Sequence, residues 1–282
     1  MSEKPGKTRM IQGADIELVT TDIPRGGYKH ALFDFDGTLS LVRQGWQEVM
    51  IGTMVEALVE APRAGDPAEI TETVTEFVTR LTGLQTIYQM IRLTEEIEKR
   101  GGTPKPAQHY KDVYSGRLLE RIKWRREGLR SGEIDRETLL VPGTRALLEG
   151  LRARGVRLYC ASGTDHEYLI EEAALLGLDG YFDGGLYGAL DDYKKFSKDM
   201  IIRKIIADHS LHGSEFLGVG DGFVEIEDTK AVGGTAIGVA TSEPECDGVD
   251  DWKRTRLIEA GADIIIPHYR EHEKILQFLF EK

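Results

Sequence analysis

Two aspartates separated by one residue give the clearest chemical signal in this sequence. Asp34 and Asp36 stand in the stretch KHALFDFDGTLS, residues 29–40, directly after the apolar run Ala31-Leu32-Phe33. A short run of large apolar residues predicts a buried strand, and the Asp-Gly pair that follows predicts a turn. In open α/β sheets, ligands bind at the carboxyl ends of the strands. Both carboxylates are therefore expected at a binding edge.

Two carboxylates in a water-poor site repel each other, and each raises the pKa of the other unless a cation lies between them. The pair therefore predicts either a hard divalent cation, with Mg²⁺ favoured, or one protonated acid. The alternative is an acidic pair that only caps a turn.

The elements that must position this pair follow from the hydrophobic periodicity. Repeated βα units in residues 1–41 and 141–282 predict a Rossmann-like α/β core, with a doubly wound, mostly parallel sheet and helices on both faces. Residues 42–140 show helical spacing and no strand pattern, which predicts an inserted all-helical domain. Strands are expected near residues 16–19, 29–35, 156–161, 181–186, 216–219, 236–240 and 264–266. Helices are expected near 46–59, 70–81, 84–99, 107–129, 144–154, 165–176, 197–209, 226–232 and 271–280.

The composition disfavours several classes of protein. The 282 residues carry a net charge of -12 with both signs mixed along the chain, which disfavours nucleic acid as a partner. Two cysteines without CxxC spacing disfavour a disulfide framework or a zinc site and indicate a reducing compartment. No apolar run has the length that spans a bilayer, and residues 1–10 lack the apolar core of a signal peptide. We expect a cytoplasmic protein without a membrane partner; the sequence does not indicate its oligomeric state.

The stretch DFDGTLS resembles the first motif of the haloacid dehalogenase superfamily, in its phosphatase and phosphomutase branch. The resemblance implies that Asp34 is a nucleophile that takes up a phosphoryl group and that Asp36 is the general acid and base. It also implies that Gly37 and Thr38 border the substrate. In this superfamily, a helical insertion after the first motif forms a mobile cap over the site.

Two weaker motifs follow in the expected order. Cys160-Ala161-Ser162-Gly163 resembles the second motif, in which the Ser162 hydroxyl and the backbone near Gly163 hold a phosphoryl oxygen, although Ser-Gly is also an ordinary turn. The third motif requires a lysine near the start of the next helix, and both Lys198 and Lys195 are candidates. Lys198 is preferred because two isoleucines follow it at helical spacing, whereas Lys195 lacks the prolines of the commoner form of the motif.

The stretch 216–222, FLGVGDG, resembles the fourth motif, GDxxxD, with Glu225 in the second acidic position. The resemblance implies that Mg²⁺ is bound by Asp34, the backbone carbonyl of Asp36 and Asp221, and that Glu225 binds it through a water or orients one. The three glycines lack the full spacing of a dinucleotide-binding loop.

Other polar residues are candidate substrate contacts, and several of them could equally be ordinary surface or core-edge residues. Arg43 and Trp46 follow the first motif closely and are expected to contact substrate. His166, Gln85 and Gln89 could face the site, but surface or core-edge positions explain them as well. A basic run predicts a solvated helix face, with an anion-attracting rim as the alternative; its members are Arg117, Arg121, Lys123, Arg125, Arg126 and Arg130.

Together the four motifs imply a Mg²⁺-dependent phosphomonoester hydrolase that acts on a small phosphorylated metabolite through an aspartyl-phosphate. The acid at position 36 disfavours the dehalogenase and ATPase branches. A sugar phosphomutase, a phosphonate hydrolase and a catalytically silent binding protein stay open. A phosphonate hydrolase needs a buried lysine in the cap, and none of Lys99, Lys105 and Lys111 is expected in such a setting. A silent relative is expected to have lost one of the three metal-site aspartates, and all are present.

Overall fold

A computed structural model describes residues 8–190, 197–243 and 245–281 of the chain. The chain forms two compact units: a larger one, which runs up to Gln44 and resumes at Gly128, and a smaller one of residues 45–127. The smaller unit is shorter at both ends than the segment 42–140 expected from the sequence. The ends of that segment are tied to the larger unit by backbone hydrogen bonds, from Leu41 N to Leu139 O and from Val141 N to Leu39 O.

An eight-stranded sheet organises the described part of the larger unit. Its strands are β1 (Arg9–Met10), β2 (Glu17–Leu18), β3 (His30–Phe33), β4 (Arg157–Asp165), β5 (Gly185–Ala189), β6 (Phe216–Gly220), β7 (Thr235–Val239) and β8 (Ile264–Ile266). The spatial order is β1-β2-β8-β7-β6-β3-β4-β5. Strands β3 to β8 are parallel, while β1 and β2 form an antiparallel edge. The predicted α/β class and mostly parallel sheet are confirmed.

The smaller unit is helical, as predicted. Its helices are α1 (Trp46–Val59), α2 (Pro67–Arg80), α3 (Thr86–Lys99) and α4 (Ala107–Ser131), the last of which ends in the larger unit. Helix α2 begins at Pro67, three residues before the start expected from the sequence, because Asp66 caps it by accepting a hydrogen bond from Ala68 N at 2.7 Å.

One expectation about this unit is wrong. Lys111 is buried, with 8% of its surface exposed, whereas the sequence indicated no buried lysine among Lys99, Lys105 and Lys111. The reason is its place on α4, where Lys111, Tyr114, Leu118 and Ile122 follow one another at three- and four-residue spacing and are all buried. A lysine thus occupies the first position of the buried stripe.

The helices of the larger unit pack on the parallel strands. They are α5 (Thr144–Ala153), α6 (His166–Leu176), α7 (Lys198–Asp208), α8 (Phe223–Ala231), α9 (Asp251–Glu259) and α10 (His272–Phe280). Helix α7 covers β3, β4 and β6 through Ile202 and Ile205, while α8 and α9 cover β7 and β8 through Ile226 and Leu257. No helix in the described ranges combines the length and apolar character needed to cross a bilayer.

Further elements differ from the sequence-based expectation, and one of them, strand β1, was not expected. Strand β4 continues through Ser162 and Gly163 to Asp165, because Asp165 pairs with Ala189 after a register shift. Strand β5 begins at Gly185 rather than Tyr181, because residues 179–181 form a 3₁₀ turn. Helix α9 was not expected at all.

Candidate active site

The register of the three central strands brings the acidic motifs together. On β3, Phe33 pairs with Cys160 of β4 on one side and with Val219 of β6 on the other. Asp34 therefore leaves the sheet between the ends of β4 and β6, where Asp221 also lies. This is the carboxyl edge at which α/β sheets bind ligands.

Lys198 is fixed between two carboxylates. Its Nζ lies 2.9 Å from Asp34 Oδ1 and also forms an ion pair with Glu225 Oε1. Ser197 caps α7 by accepting a hydrogen bond from Met200 N at 3.1 Å, and this places Lys198 at the first helical position. Glu225 approaches β6 closely because residue 220 is glycine; a Cβ there would lie 2.8 Å from Glu225 Cγ.

Asp34 is held in a water-poor setting. Burial raises the pKa of its carboxyl, Lys198 opposes that shift, and the charge of Asp221 adds to it. The Oδ1 atom also accepts a hydrogen bond from Phe35 N at 2.8 Å. Cys160 on the neighbouring strand is a free thiol whose pKa is raised by burial, so it stays protonated and unreactive.

Asp36 is held by side chains of β4 and by Arg43, which follows the first motif. Thr164 Oγ1 donates to Asp36 Oδ2 at 2.8 Å, and Ser162 Oγ lies 3.5 Å from the same oxygen. Arg43 Nε is 3.9 Å from Asp36 Oδ1 and is itself held in a two-point ion pair by the fully buried Glu172, at 3.0 and 2.8 Å. Burial raises the pKa of Asp36 to about 7, while Arg43 acts against the shift. A carboxyl with this pKa can both donate and accept a proton near neutral pH.

Thr38 and Gly37 join the first motif to Asp221. The Thr38 hydroxyl accepts from Asp221 N at 2.9 Å and donates to Asp221 Oδ1 at 3.3 Å. Its backbone carbonyl accepts from the buried Tyr269 hydroxyl at 2.9 Å. Gly37 has a φ of 74°, and a Cβ at this position would lie 2.3 Å from Asp221 Oδ2. Glycine is therefore required for the close approach of the two motifs.

A lysine that the sequence reasoning missed also reaches this group. Lys253 on α9 places Nζ 3.2 Å from Asp221 Oδ2 and 2.9 Å from Glu243 Oε1. Burial alone would lower the pKa of Lys253, but the charges of Asp221 and Glu243 outweigh burial and raise that pKa, so the ammonium is charged. Thr164 and Glu172 were missed as well. Thr164 could have been found from its place two residues beyond Ser162, on the same side of a strand.

The oxygen atoms at this edge fit Mg²⁺. Within the described ranges, no group of three or more His, Cys, Asp or Glu side chains is placed to hold a metal ion. A cation here would take the two carboxylates of Asp34 and Asp221, with backbone oxygen such as the carbonyl of Asp36 and water. One or two carboxylates with several retained waters is the set that Mg²⁺ accepts in phosphoryl-transfer sites.

The other candidate residues are placed less directly. Gly163 lies in β4, and His166 is exposed at the start of α6, where its Nδ1 accepts from Gly188 N at 3.3 Å. Trp46 is the first residue of α1 in the smaller unit and is half-buried. Lys195 lies outside the described residues.

In the smaller unit, Gln85 and Gln89 are buried, and Gln89 donates to Val78 O at 3.3 Å. Several members of the basic run pair with glutamates: Arg117 with Glu56, Arg121 with Glu48, Lys123 with Glu120 and Arg130 with Glu171. These contacts favour the interpretation of that run as a solvated, charge-paired helix face.

The core is Rossmann-like, a buried acid follows β3, a second acid stands two residues later, and a lysine forms an ion pair with the first acid. These features are those of a hydrolase of the haloacid dehalogenase type. The chain belongs to this family, because the family model described as haloacid dehalogenase-like hydrolase matches residues 28–233. No curated protein matches the chain.

Solved structures share the fold at low sequence identity. A predicted phosphoglycolate phosphatase from Haemophilus somnus is 17% identical with a TM-score of 0.59, covering 89% of this chain and 99% of the other. A predicted phosphatase from Clostridium acetobutylicum is 21% identical with a TM-score of 0.58, covering 89% and 99%. A β-phosphoglucomutase from Clostridium difficile is 15% identical with a TM-score of 0.54, covering 82% and 98%. At these identities the similarity shows a shared fold.

Proposed function

We propose that this chain is a Mg²⁺-dependent phosphomonoester hydrolase that acts on a small phosphorylated metabolite through an aspartyl-phosphate on Asp34. The strongest support is the setting of Asp34, a buried carboxylate at the end of the central strand with Lys198 Nζ 2.9 Å from Oδ1. A second acid, Asp36, stands two residues away with a pKa raised to about 7 by burial. The proposed nucleophile and the proposed proton donor are thus two residues apart in the chain.

In the first step, a carboxylate oxygen of Asp34 attacks phosphorus and forms the new P–O bond, while the bond to the leaving oxygen breaks. Lys198 opposes the rise in the pKa of Asp34 that burial causes, and it places a positive charge beside the phosphoryl oxygens. Asp36 gives its proton to the leaving oxygen, so the alcohol departs neutral.

In the second step, Asp36, now ionised, takes a proton from water as the water attacks the aspartyl-phosphate. Inorganic phosphate leaves, Asp34 returns as a carboxylate, and Asp36 is protonated again. Thr164, which donates to Asp36 Oδ2 at 2.8 Å, holds the carboxyl in one orientation through both proton transfers. We propose that the Ser162 hydroxyl and the backbone at Gly163 hold a phosphoryl oxygen.

Asp34, the Asp36 carbonyl and Asp221 would hold the Mg²⁺ ion, and Glu225, which also pairs with Lys198, would bind it through a water or orient one. When bound, the ion offsets the negative charge of the nucleophile and of the phosphoryl group. We propose that the helical unit of residues 45–127 acts as a cap that excludes water during the first step. Arg43 and Trp46 are retained as candidate substrate contacts, and the cytoplasm as the expected location.

The decisive experiment compares the full chain with Asp34→Asn in hydrolysis of p-nitrophenyl phosphate, with and without Mg²⁺. The variant should lose turnover by at least about 10³-fold, since it lacks the nucleophile. Asp208→Asn, which removes an exposed carboxylate at the far end of α7, is the matched control and should keep wild-type activity. After an acid quench, a phosphorylated peptide containing residue 34 should appear in the wild type and be absent from Asp34→Asn.

A folded Asp34→Asn variant with near-native turnover would refute the assignment. A wild-type chain that hydrolyses no phosphomonoester and binds no Mg²⁺ by calorimetry would instead indicate a silent binding protein. A panel of phosphorylated metabolites, run with sugar acceptors, separates a hydrolase, which releases inorganic phosphate, from a phosphomutase, which returns the group to a sugar. A phosphonate in the same panel tests the phosphonate hydrolase, for which the buried Lys111 is the candidate lysine.

A further inference from the structure

Three cations of the larger unit share one arrangement. Each bridges one acid of the candidate site to a glutamate that lies behind it. The three sets are Asp34–Lys198–Glu225, Asp36–Arg43–Glu172 and Asp221–Lys253–Glu243. The third set uses a helix and a lysine that none of the four motifs includes.

The Lys253 ammonium is fixed in place. Its Nζ contacts Asp221 Oδ2 at 3.2 Å and Glu243 Oε1 at 2.9 Å, and only 14% of the lysine side chain is exposed. The backbone N–H of Lys253 donates to Asp250 Oδ1 at 2.9 Å, which caps α9 and fixes the turn that carries the lysine. On the other side, Asp221 Oδ1 accepts from Thr38 Oγ1 at 3.3 Å. Both oxygens of Asp221 therefore have defined partners.

These contacts leave Asp221 able to bind a cation. An ionised carboxylate has about four lone-pair sites, so Asp221 can ligate a metal while it accepts from Thr38 and Lys253. However, a fixed positive charge on a metal ligand repels a second cation at short range, and the charge of Glu243 offsets that repulsion. The lysine and the glutamate thus act in opposite directions on the same ligand.

We propose that Lys253 and Glu243 are positioning residues that set the affinity of the Asp221 site for its divalent cation, with Lys253 weakening it and Glu243 strengthening it. This inference rests on the proposed function, which assigns the cation to Asp221. An electrostatic role predicts opposite shifts for the two residues, whereas a purely orienting role predicts that loss of either one weakens binding.

The test is isothermal calorimetry of Mg²⁺ binding to the full chain, which needs no catalytic readout. Lys253→Gln removes the charge but keeps a hydrogen-bond donor for Asp221, and should lower the Kd about tenfold, or about 1.4 kcal/mol. Glu243→Gln leaves the ammonium uncompensated and should raise the Kd about tenfold. Lys253→Arg keeps the charge and should remain within about twofold of wild type.

The matched control is Lys230→Gln. Lys230 forms an ion pair with Asp263 at 2.8 Å, just before β8 and therefore at the opposite edge of the sheet, so its loss should leave the Kd unchanged. Weaker binding in Lys253→Gln would overturn this inference but leave the proposed metal site standing. An unchanged Kd in both Lys253→Gln and Glu243→Gln would have the same meaning. If neither wild type nor the control binds Mg²⁺, the proposed metal site fails and this inference fails with it. Should Lys253→Gln not fold, Lys253→Met takes its place: it also removes the charge and should lower the Kd, whereas an orienting role predicts a higher Kd.

Discussion

Replacing Lys198 by methionine should destabilise the larger unit strongly. The exposed fractions of the side chains are 4% for Lys198, 9% for Asp34 and 1% for Glu225, so two carboxylates depend on one buried ammonium. Removing one partner of a buried ion pair costs about 3–5 kcal/mol, because an uncompensated charge is left behind. A domain is stable by only about 5–15 kcal/mol. The expected fall in Tm is about 10 °C.

A second variant identifies the cause of that loss. In Lys198→Met combined with Glu225→Met, both charges of one pair are replaced by apolar side chains of similar volume, which is often neutral for stability. Asp34 then remains alone, and it can take up a proton because burial already raises its pKa. We therefore expect the double variant to recover most of the free energy of unfolding that the single variant loses.

The measurement is urea unfolding followed by circular dichroism at pH 7.5 without Mg²⁺. Lys204→Met is the matched control, because Lys204 pairs with Asp208 on the same helix but is 61% exposed, and exposed pairs contribute little. A wild-type urea midpoint for Lys198→Met would show that no buried charge depends on this lysine. A double variant as unstable as the single one would assign the loss to packing instead.

Three further outcomes follow from single contacts. Thr164→Val should lower kcat about tenfold with little change in KM, since it removes the 2.8 Å hydrogen bond to Asp36; steady-state kinetics tests this, and an unchanged kcat contradicts it. Gly37→Ala should lose about 2 kcal/mol of stability and most turnover, because φ is 74° and the Cβ would meet Asp221; thermal unfolding at the wild-type Tm would contradict it. Burial lowers the pKa of His30 from 6.5 to about 4. In the unfolded chain His30 therefore takes up a proton near pH 6.5, whereas in the folded chain it stays neutral until about pH 4. Stability should therefore fall as the pH drops from 6.5 to 4, by about 1–2 kcal/mol after allowing for solvent screening, and His30→Gln should flatten that part of the denaturation profile.

The positions of the acidic motifs could be predicted because they depend on short-range rules. A parallel sheet brings the carboxyl ends of its strands to one edge, so Asp34 and Asp221 meet once their strands are recognised as neighbours. The preference for Lys198 rested on the same kind of local rule, namely its place near the start of an expected helix with isoleucines following at helical spacing. Its placement beside Asp34 agrees with that preference, while its catalytic role stays a prediction.

The residues that hold the motifs in place could not be predicted, because their partners are distant in sequence. Glu172 of α6 is buried and forms an ion pair with Arg43, which lies 129 residues earlier in the chain. No neighbouring residue in the sequence distinguishes Glu172 from a surface glutamate. Helix α9 was missed because Leu257 is its one buried residue, so it lacks the apolar stripe that marks a helix. Its Lys253 was missed with it. Buried charge pairs leave no periodic trace in a sequence.

The charges of these pairs would be balanced by one divalent cation together with one protonated acid. The three cations Lys198, Arg43 and Lys253 bridge six carboxylates, which leaves a formal charge of about -3 when every acid is ionised. A divalent cation would supply two positive charges, and a proton on Asp36, whose pKa is raised to about 7, would supply the third. The site would then be neutral before an anionic phosphate arrives. Without the cation, a phosphate would approach a buried negative site and be repelled, so metal binding should precede substrate binding.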